Sequence, residues 1–190
     1  MSRARKLVRG LLAAGFVVSL AGAIGGAWGV SAAATPAAST SSARPGMVIE
    51  AFDLFDTSID HRPMVVAAQK RWLADAALRL RDRLDAAKRV TVIDSAASTR
   101  MAASIAHSYQ HPSTCRSCIL AEGRKFGARY VFIGSVHKVS DLIIYMRGEL
   151  DRVGDRKPLM VKSMEVKADD KTMILRAADS MAAAIERHLG

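Results

Sequence analysis

Apolar and polar positions switch between two periods along this chain, and the switches mark its elements. Residues 46–53 (GMVIEAFD) form a short apolar run that predicts a first strand. After Pro63 the period lengthens. Val66, Leu73, Ala76 or Ala77, Leu80 and Leu84 recur at helical spacing, which predicts a long helix over roughly 65–87. Its other face carries Lys70, Arg71, Asp75, Arg79, Arg81, Asp82, Arg83 and Asp85, a solvated stripe. Asp75–Arg79 and Asp85–Arg89 are acid-first pairs four residues apart, the favourable orientation within a helix.

Residues 89–94 (RVTVID) read as a second strand, and Ser95 is placed to cap a helix running to about His107. The polar, proline-containing stretch 108–114 predicts a loop. A helix over about 115–126 then ends at Gly127, a C′ glycine. Two stretches dense in Val, Ile and Tyr follow, 129–140 and 142–153, and the segment Gly154-Asp155-Arg156-Lys157-Pro158 predicts a hairpin connection. Residues 159–166 alternate as a further strand. Asp169 or Asp170 caps a last helix, with Ile174, Ala177, Met181, Ala184 or Ile185, and Leu189 as its buried stripe. The order is β-α-β-α-α-β-β-β-α: one βαβ unit, then a meander. It predicts a single α+β or mixed-sheet α/β domain with helices covering the sheet.

The N-terminal segment follows neither pattern. Arg3, Arg5, Lys6 and Arg9 precede an uncharged, apolar stretch from Gly10 to Ala34. Ala32-Ala33-Ala34, or Val30-Ser31-Ala32, offers a small-x-small cleavage site, so residues 1–34 are expected to be a signal peptide. The stretch is also long enough to span a bilayer, which leaves an uncleaved anchor as the alternative, although six glycines weaken it as a permanent span. Residues 35–45, rich in Ala, Ser, Thr and Pro, read as a flexible linker, and 46–190 as the folded domain. The expected location is the periplasm.

Removing the leader lowers the formal charge from +10 to +6. In an exported chain that surplus does not point to nucleic acid, and the basic residues lie beside acids on helix faces rather than in one block. Membrane contact is expected only through an uncleaved leader. The expected partner is a protein of the envelope or periplasm. No cofactor is expected: there is no phosphate-cradling glycine loop and no EF-hand spacing, and Gly134-Ser135 lacks the nucleophile-elbow pattern.

Cys115 and Cys118 are the only cysteines, spaced C-x-x-C. In an oxidising compartment such a pair reads as a local disulfide. Two other chemistries share the motif. At a helix start the N–H groups and dipole lower a thiolate's pKa, and Arg116 adds charge, which suits thiol–disulfide exchange. His107 and His111 lie upstream, so His107, His111, Cys115 and Cys118 form a candidate zinc set. Ile119 stands where a covalent haem motif needs histidine.

Phe52-Asp53-Leu54-Phe55-Asp56-Thr57 looks like the first motif of the haloacid dehalogenase superfamily. That resemblance implies a magnesium-dependent phosphatase with Asp53 as nucleophile, Thr57 as its hydrogen-bonding partner and Asp169-Asp170 imitating the terminal acid pair. The plainer reading is that Asp53 and Asp56 close the strand and turn the chain.

A wider resemblance rests on Ala51-Phe52-Asp53 with Asp56-Thr57-Ser58, Cys115-x-x-Cys118, Gly127-Ala128, and Gly134-x-Val136-x-Lys138-Val139-Ser140 with Leu142-Ile143-Ile144. These segments resemble an uncharacterised family of small exported bacterial proteins, a domain of unknown function. The chain departs at Asp169-Asp170-Lys171-Thr172-Met173, where the family tends to an Asn- and Trp-containing turn. The element order is also similar to the N-terminal domain of the translocation protein TolB and to envelope-assembly lipoproteins. Both resemblances imply a non-catalytic periplasmic accessory role through partner binding.

Overall fold

A computed structural model describes residues 43–189, which belong to one compact unit. The expected leader and all but the last residues of the expected linker lie outside the described residues. Among the described residues no helix is long and apolar enough to cross a membrane.

The chain enters through β1 (Gly46–Ile49) and continues into β2 (Asp53–Asp56). The sequence reads 46–53 as one strand, with Asp53 and Asp56 turning the chain. The structure breaks that run and begins a second strand at Asp53. Both strands lie parallel to β4 (Tyr130–Lys138), with Ile49 opposite Phe132 and Asp53 opposite Ser135. The chain therefore advances four residues against three, and the extra residue is a bulge at Glu50-Ala51-Phe52. Phe52 explains the break. Its ring folds over Gly134, edge-on to Phe132 at 5.8 Å between centroids, and a Cβ at Gly134 would collide with it.

From β2 the chain runs through α1 (Pro63–Ala86) to β3 (Thr91–Val92), which pairs parallel with β1 on the side away from β4. Two helices follow, α2 (Ala96–Ser108) and α3 (Arg116–Lys125), joined through a short helical turn, Pro112–Thr114. Ser95 caps α2 as expected, in a reciprocal arrangement with Ser98. Gly127, φ 66°, leaves α3 in the left-handed region and turns the chain into β4. Then β5 (Ile144–Arg152) and β6 (Met160–Val166) add antiparallel strands, and α4 (Lys171–Leu189) closes the fold. The sheet order is β3-β1-β4-β5-β6, with β2 also on β4. This is the expected α+β domain, with its first strand divided in two.

Helices cover the sheet unequally. On one face α1 and α4 bury the larger core, built on Met47, Ile49, Phe132, Met146 and Leu150. Leu73, Leu80 and Leu84 of α1 are buried there, each contributing about 1.5–3 kcal/mol. Polar contacts step up both helices together: Gln69 to Asp169, Lys171 to Asp75, and Arg79 to Asp179. The two helices thus lie side by side in the same direction. Asp75 and Arg79, read as a pair within α1, serve between helices instead. On the other face α2 and α3 form a smaller core, with Ile119 and Leu120 against Val48, Val131 and Ile133. That cover reaches β3, β1 and the first half of β4. Arg116 of α3 also covers the end of β5 at Glu149 and Asp151, and this face stays open at His137, at Tyr145 and Arg147, and along β6.

Candidate functional site

The parallel strands β1 and β3 end side by side, and the connections leaving them diverge. One runs through α1 on one face of the sheet, and the other through α2 and α3 on the opposite face to the far side of β1. A crevice forms at such a switch point, beyond the carboxyl ends of the strands. Here it is a cleft of about 450 Å³ between the Glu50–Phe52 bulge and α2. Ala102, Ala103 and Ala106 present small side chains to it, and Ile93 and Phe52 complete the apolar wall.

Glu50 and Glu122 form its polar floor. Glu50 stands at the end of β1, and Glu122 on the buried side of α3, three residues after Ile119. Glu122 is 1% exposed. Burial pushes its carboxyl up to about 8, and the charge and hydrogen bond of Glu50 push the same way. Burial likewise raises Glu50, against the opposing effects of its hydrogen bond to Glu122 and of Arg81. The pair therefore holds a proton between two carboxyls near neutrality. Arg81 reaches in from α1 and donates Nη2–H to the Ile49 carbonyl at 2.7 Å. Sequence reading missed both glutamates. Their signal was an acid prolonging an apolar run and an acid on an apolar helical stripe.

Asp53 sits at the start of β2 beside the cleft, and its carboxylate is engaged. Ser113 donates its hydroxyl to Oδ2 at 2.9 Å, and Nδ1 of His111 lies 3.3 Å from Oδ1. Thr57 donates instead to the Lys138 carbonyl, at 3.2 Å. Asp169 is held by Lys138 at 2.9 Å and Asp170 caps α4 through Met173 N–H. Strand alternation puts Asp53 and Lys138 on opposite faces, so the structure does not bring the acids of the phosphatase-like motif together. Lys138 itself is 1% exposed. Burial alone would lower its pKa, but Asp141 and Asp169 outweigh that and hold it above its ordinary value.

The open face begins with a stack of rings. Phe55 lies between His111 and His137, with centroids 4.0 and 4.5 Å away. The register continues the row from His137 to Tyr145 and Glu165. Along β5 and β6, Ile144, Met146, Leu150, Met160 and Val166 are buried toward α4, while Tyr145, Arg147, Val161, Ser163 and Glu165 are exposed. In the β4–β5 connection Leu142 is 74% exposed, near Val139 and Ile143.

Cys115 and Cys118 are disulfide-bonded, with Cα atoms 5.3 Å apart, at the entry to α3. Both are half-buried, and the Tyr109 hydroxyl lies 3.5 Å from the Cys118 sulfur. The zinc alternative is not the arrangement seen. The two sulfurs bond each other, His111 faces Asp53, and His107 is exposed on α2. Among the described residues no group of three or more His, Cys, Asp or Glu side chains is placed to hold a metal ion. Arg116 turns away from the sulfurs, with Nε 3.2 Å from Glu149 and 3.1 Å from Asp151, a wholly buried acid. Its charge serves β5 rather than a thiolate.

A family model, DUF3280, described as "Protein of unknown function (DUF2380)", matches residues 47–185. No curated protein matches the chain. Among solved structures it is similar to E. coli LpoB, at 15% identity and TM-score 0.45, over 66% of this chain and 58% of that one. It is similar to the LpoB C-terminal domain from Salmonella enterica, at 13% identity and TM-score 0.42, over 68% and 87%. A PelC dodecamer from Paraburkholderia phytofirmans matches at 14% identity and TM-score 0.40, over 77% and 87%. The chain thus spans 58% of the first of these proteins.

Proposed function

We propose that this chain, which belongs to the family of unknown function DUF3280, is a non-catalytic accessory domain of the periplasm that binds an envelope protein. The observation that carries this reading is the half-covered sheet. Its antiparallel part packs one face on α4 and leaves much of the other uncovered beyond the end of β5 that Arg116 covers, with Tyr145 and Val161 41% and 47% exposed. Arg147, Glu149 and Glu165 mix both signs of charge around those two side chains. The register sets Tyr145 beside Glu165 and Val161 beside Glu149, with Arg147 and Ser163 between them, and such interleaving of apolar side chains with both signs of charge suits a protein surface. A single-sign nucleic acid or an anionic membrane calls for a one-sign patch instead. The basic n-region and apolar stretch of residues 1–34 support export, and with it a periplasmic site of action.

The test is crosslinking and affinity capture from envelope extract of the source organism, wild type beside Tyr145→Glu/Val161→Lys. One defined envelope protein, captured by the wild type and lost in a double variant that still unfolds cooperatively, is the expected result. Equal recovery by both proteins refutes the surface. Turnover of a phosphate ester lost in Asp53→Asn refutes the non-catalytic reading.

One observation favours a second reading, thiol–disulfide exchange. The Cys115–Cys118 bond lies half-exposed at the start of α3, where unpaired N–H groups stabilise a thiolate. Insulin reduction by the wild type, lost in Cys115→Ser and indifferent to chelator, would support it.

A further inference from the structure

The cleft at the carboxyl ends of β1 and β3 has a chemistry that the docking surface does not explain. Glu50, Glu122, Asp53 and Asp94 line it, against one guanidinium, Arg81. Asp53 is already held by His111 and Ser113, and Arg81 by the Ile49 carbonyl. Glu122 differs. It is 1% exposed, it lines the cleft, and apart from the proton it shares with Glu50 its Oε2 has no hydrogen-bond donor. A buried acceptor without a donor is costly to leave so, and a ligand that brings donors relieves it. About 450 Å³ of space lies beside it, walled by Ala102, Ala103, Ala106 and Phe52. That volume is in the range of small-molecule sites.

The donor set selects the ligand. Among the described residues no third His, Cys, Asp or Glu joins the two carboxylates, so the protein's own donors fall far short of the six to eight oxygens that calcium takes. An ammonium or guanidinium needs only acceptors, and carries three to five N–H donors to meet them. The apolar wall requires the rest of the ligand to be hydrocarbon. We propose that this cleft binds a small organic cation, a primary ammonium or guanidinium on an apolar body, with its N–H groups on Glu50 and Glu122.

The proposal stands apart from the docking reading, since the cleft and the open part of the β5–β6 face are different surfaces. Its proton balance is explicit. The free pair holds one proton between the two carboxyls. A bound cation ionises both, so one proton leaves to solvent as it enters. The other charged groups facing the pair are Arg81 from α1, Lys125 on α3, Asp94 after β3 and Asp53 on β2. Arg81 and Lys125 oppose the cation, and the two aspartates favour it.

Calorimetry on the mature chain tests this with hexylamine and agmatine, and with hexanol as the uncharged control. The expected result is saturable binding of an amine, at least about tenfold tighter than hexanol, strengthening about five- to tenfold per pH unit from about pH 6 to about pH 8. Buffers of different ionisation enthalpy should show close to one proton released. Glu122→Gln, checked for cooperative unfolding, should weaken the amine at least about tenfold and flatten the pH dependence, and Glu50→Gln takes its place if that variant does not fold. Ala102→Phe should abolish binding with both carboxyls intact. The proposal is overturned by no amine binding at about 10 mM, by hexanol binding equally, by folded carboxamide variants binding as well as the wild type, or by tight stoichiometric calcium or manganese binding that excludes the amine.

Discussion

Gly134 lies in the central strand, where a side chain would ordinarily add to the core. Its Cβ position is taken by the Phe52 ring, and across the strand pair Gly148 leaves room in the same way for Met181, whose sulfur would lie 2.5 Å from an added Cβ. Two glycines facing each other on adjacent strands thus make the notch that lets the bulge ring and α4 seat. Gly134→Ala should destabilise the domain by about 1–3 kcal/mol through overpacking, read as a lower urea midpoint at unchanged slope. Phe52→Leu in the same chain should recover part of that loss. Sequence reading could see glycine in a strand as a sign of close approach. It could not say which ring approaches, because Phe52 comes from the bulge between β1 and β2, which turns it inward.

At the scale of elements, α3 shows how a local motif and its neighbours are shared out. Its helix start holds the disulfide, its buried side holds Glu122, and Arg116 reaches across to β5. Periodicity located the helix within a residue of its observed start, and the motif itself was plain. That Arg116 neutralises Glu149 and Asp151 was not legible, since those acids lie more than thirty positions away in sequence. The disulfide closes a very short loop, so it restrains little of the unfolded chain. Cys115→Ser should lower stability by about 2 kcal/mol or less without abolishing folding, measured by thermal or urea unfolding. A loss several times larger would mean that the bond fixes the α2–α3 connection rather than merely closing a turn.

For the whole molecule, the buried glutamates set how stability depends on pH. Glu122 has an ordinary value of 4.5 and a folded value of about 8. Between these limits the folded state keeps a proton that the unfolded chain has released. Stability is therefore full below about 4.5 and falls as pH rises toward 8, by up to about 1.4 kcal/mol per unit. Asp179 acts oppositely. Arg79 holds its carboxyl below the ordinary 3.8, so its contribution is present above that value and is lost as pH falls further. Urea midpoints should thus be higher near pH 5 than near pH 8, and Glu122→Gln should flatten that difference by raising the midpoint at pH 8. A profile in Glu122→Gln as steep as the wild type's would place the responsible group elsewhere.

The order of elements followed from the sequence alone, because hydrophobic period, Ser95, Gly127 and the 154–158 turn are local properties of the chain. The family resemblance was legible for the same reason: its segments are short runs read in place. Tertiary structure alone decided the rest. One extra residue between Ile49 and Asp53 breaks the first strand, turns Phe52 into the core and aligns Asp53 with Ser135. The parallel return of β3 and β4 on either side of β1 then brings Glu50 beside Glu122, which is more than seventy residues away. Neither acid is notable by itself. Only the crossing of the chain makes them a pair, because burial and a like charge act through space rather than along the sequence.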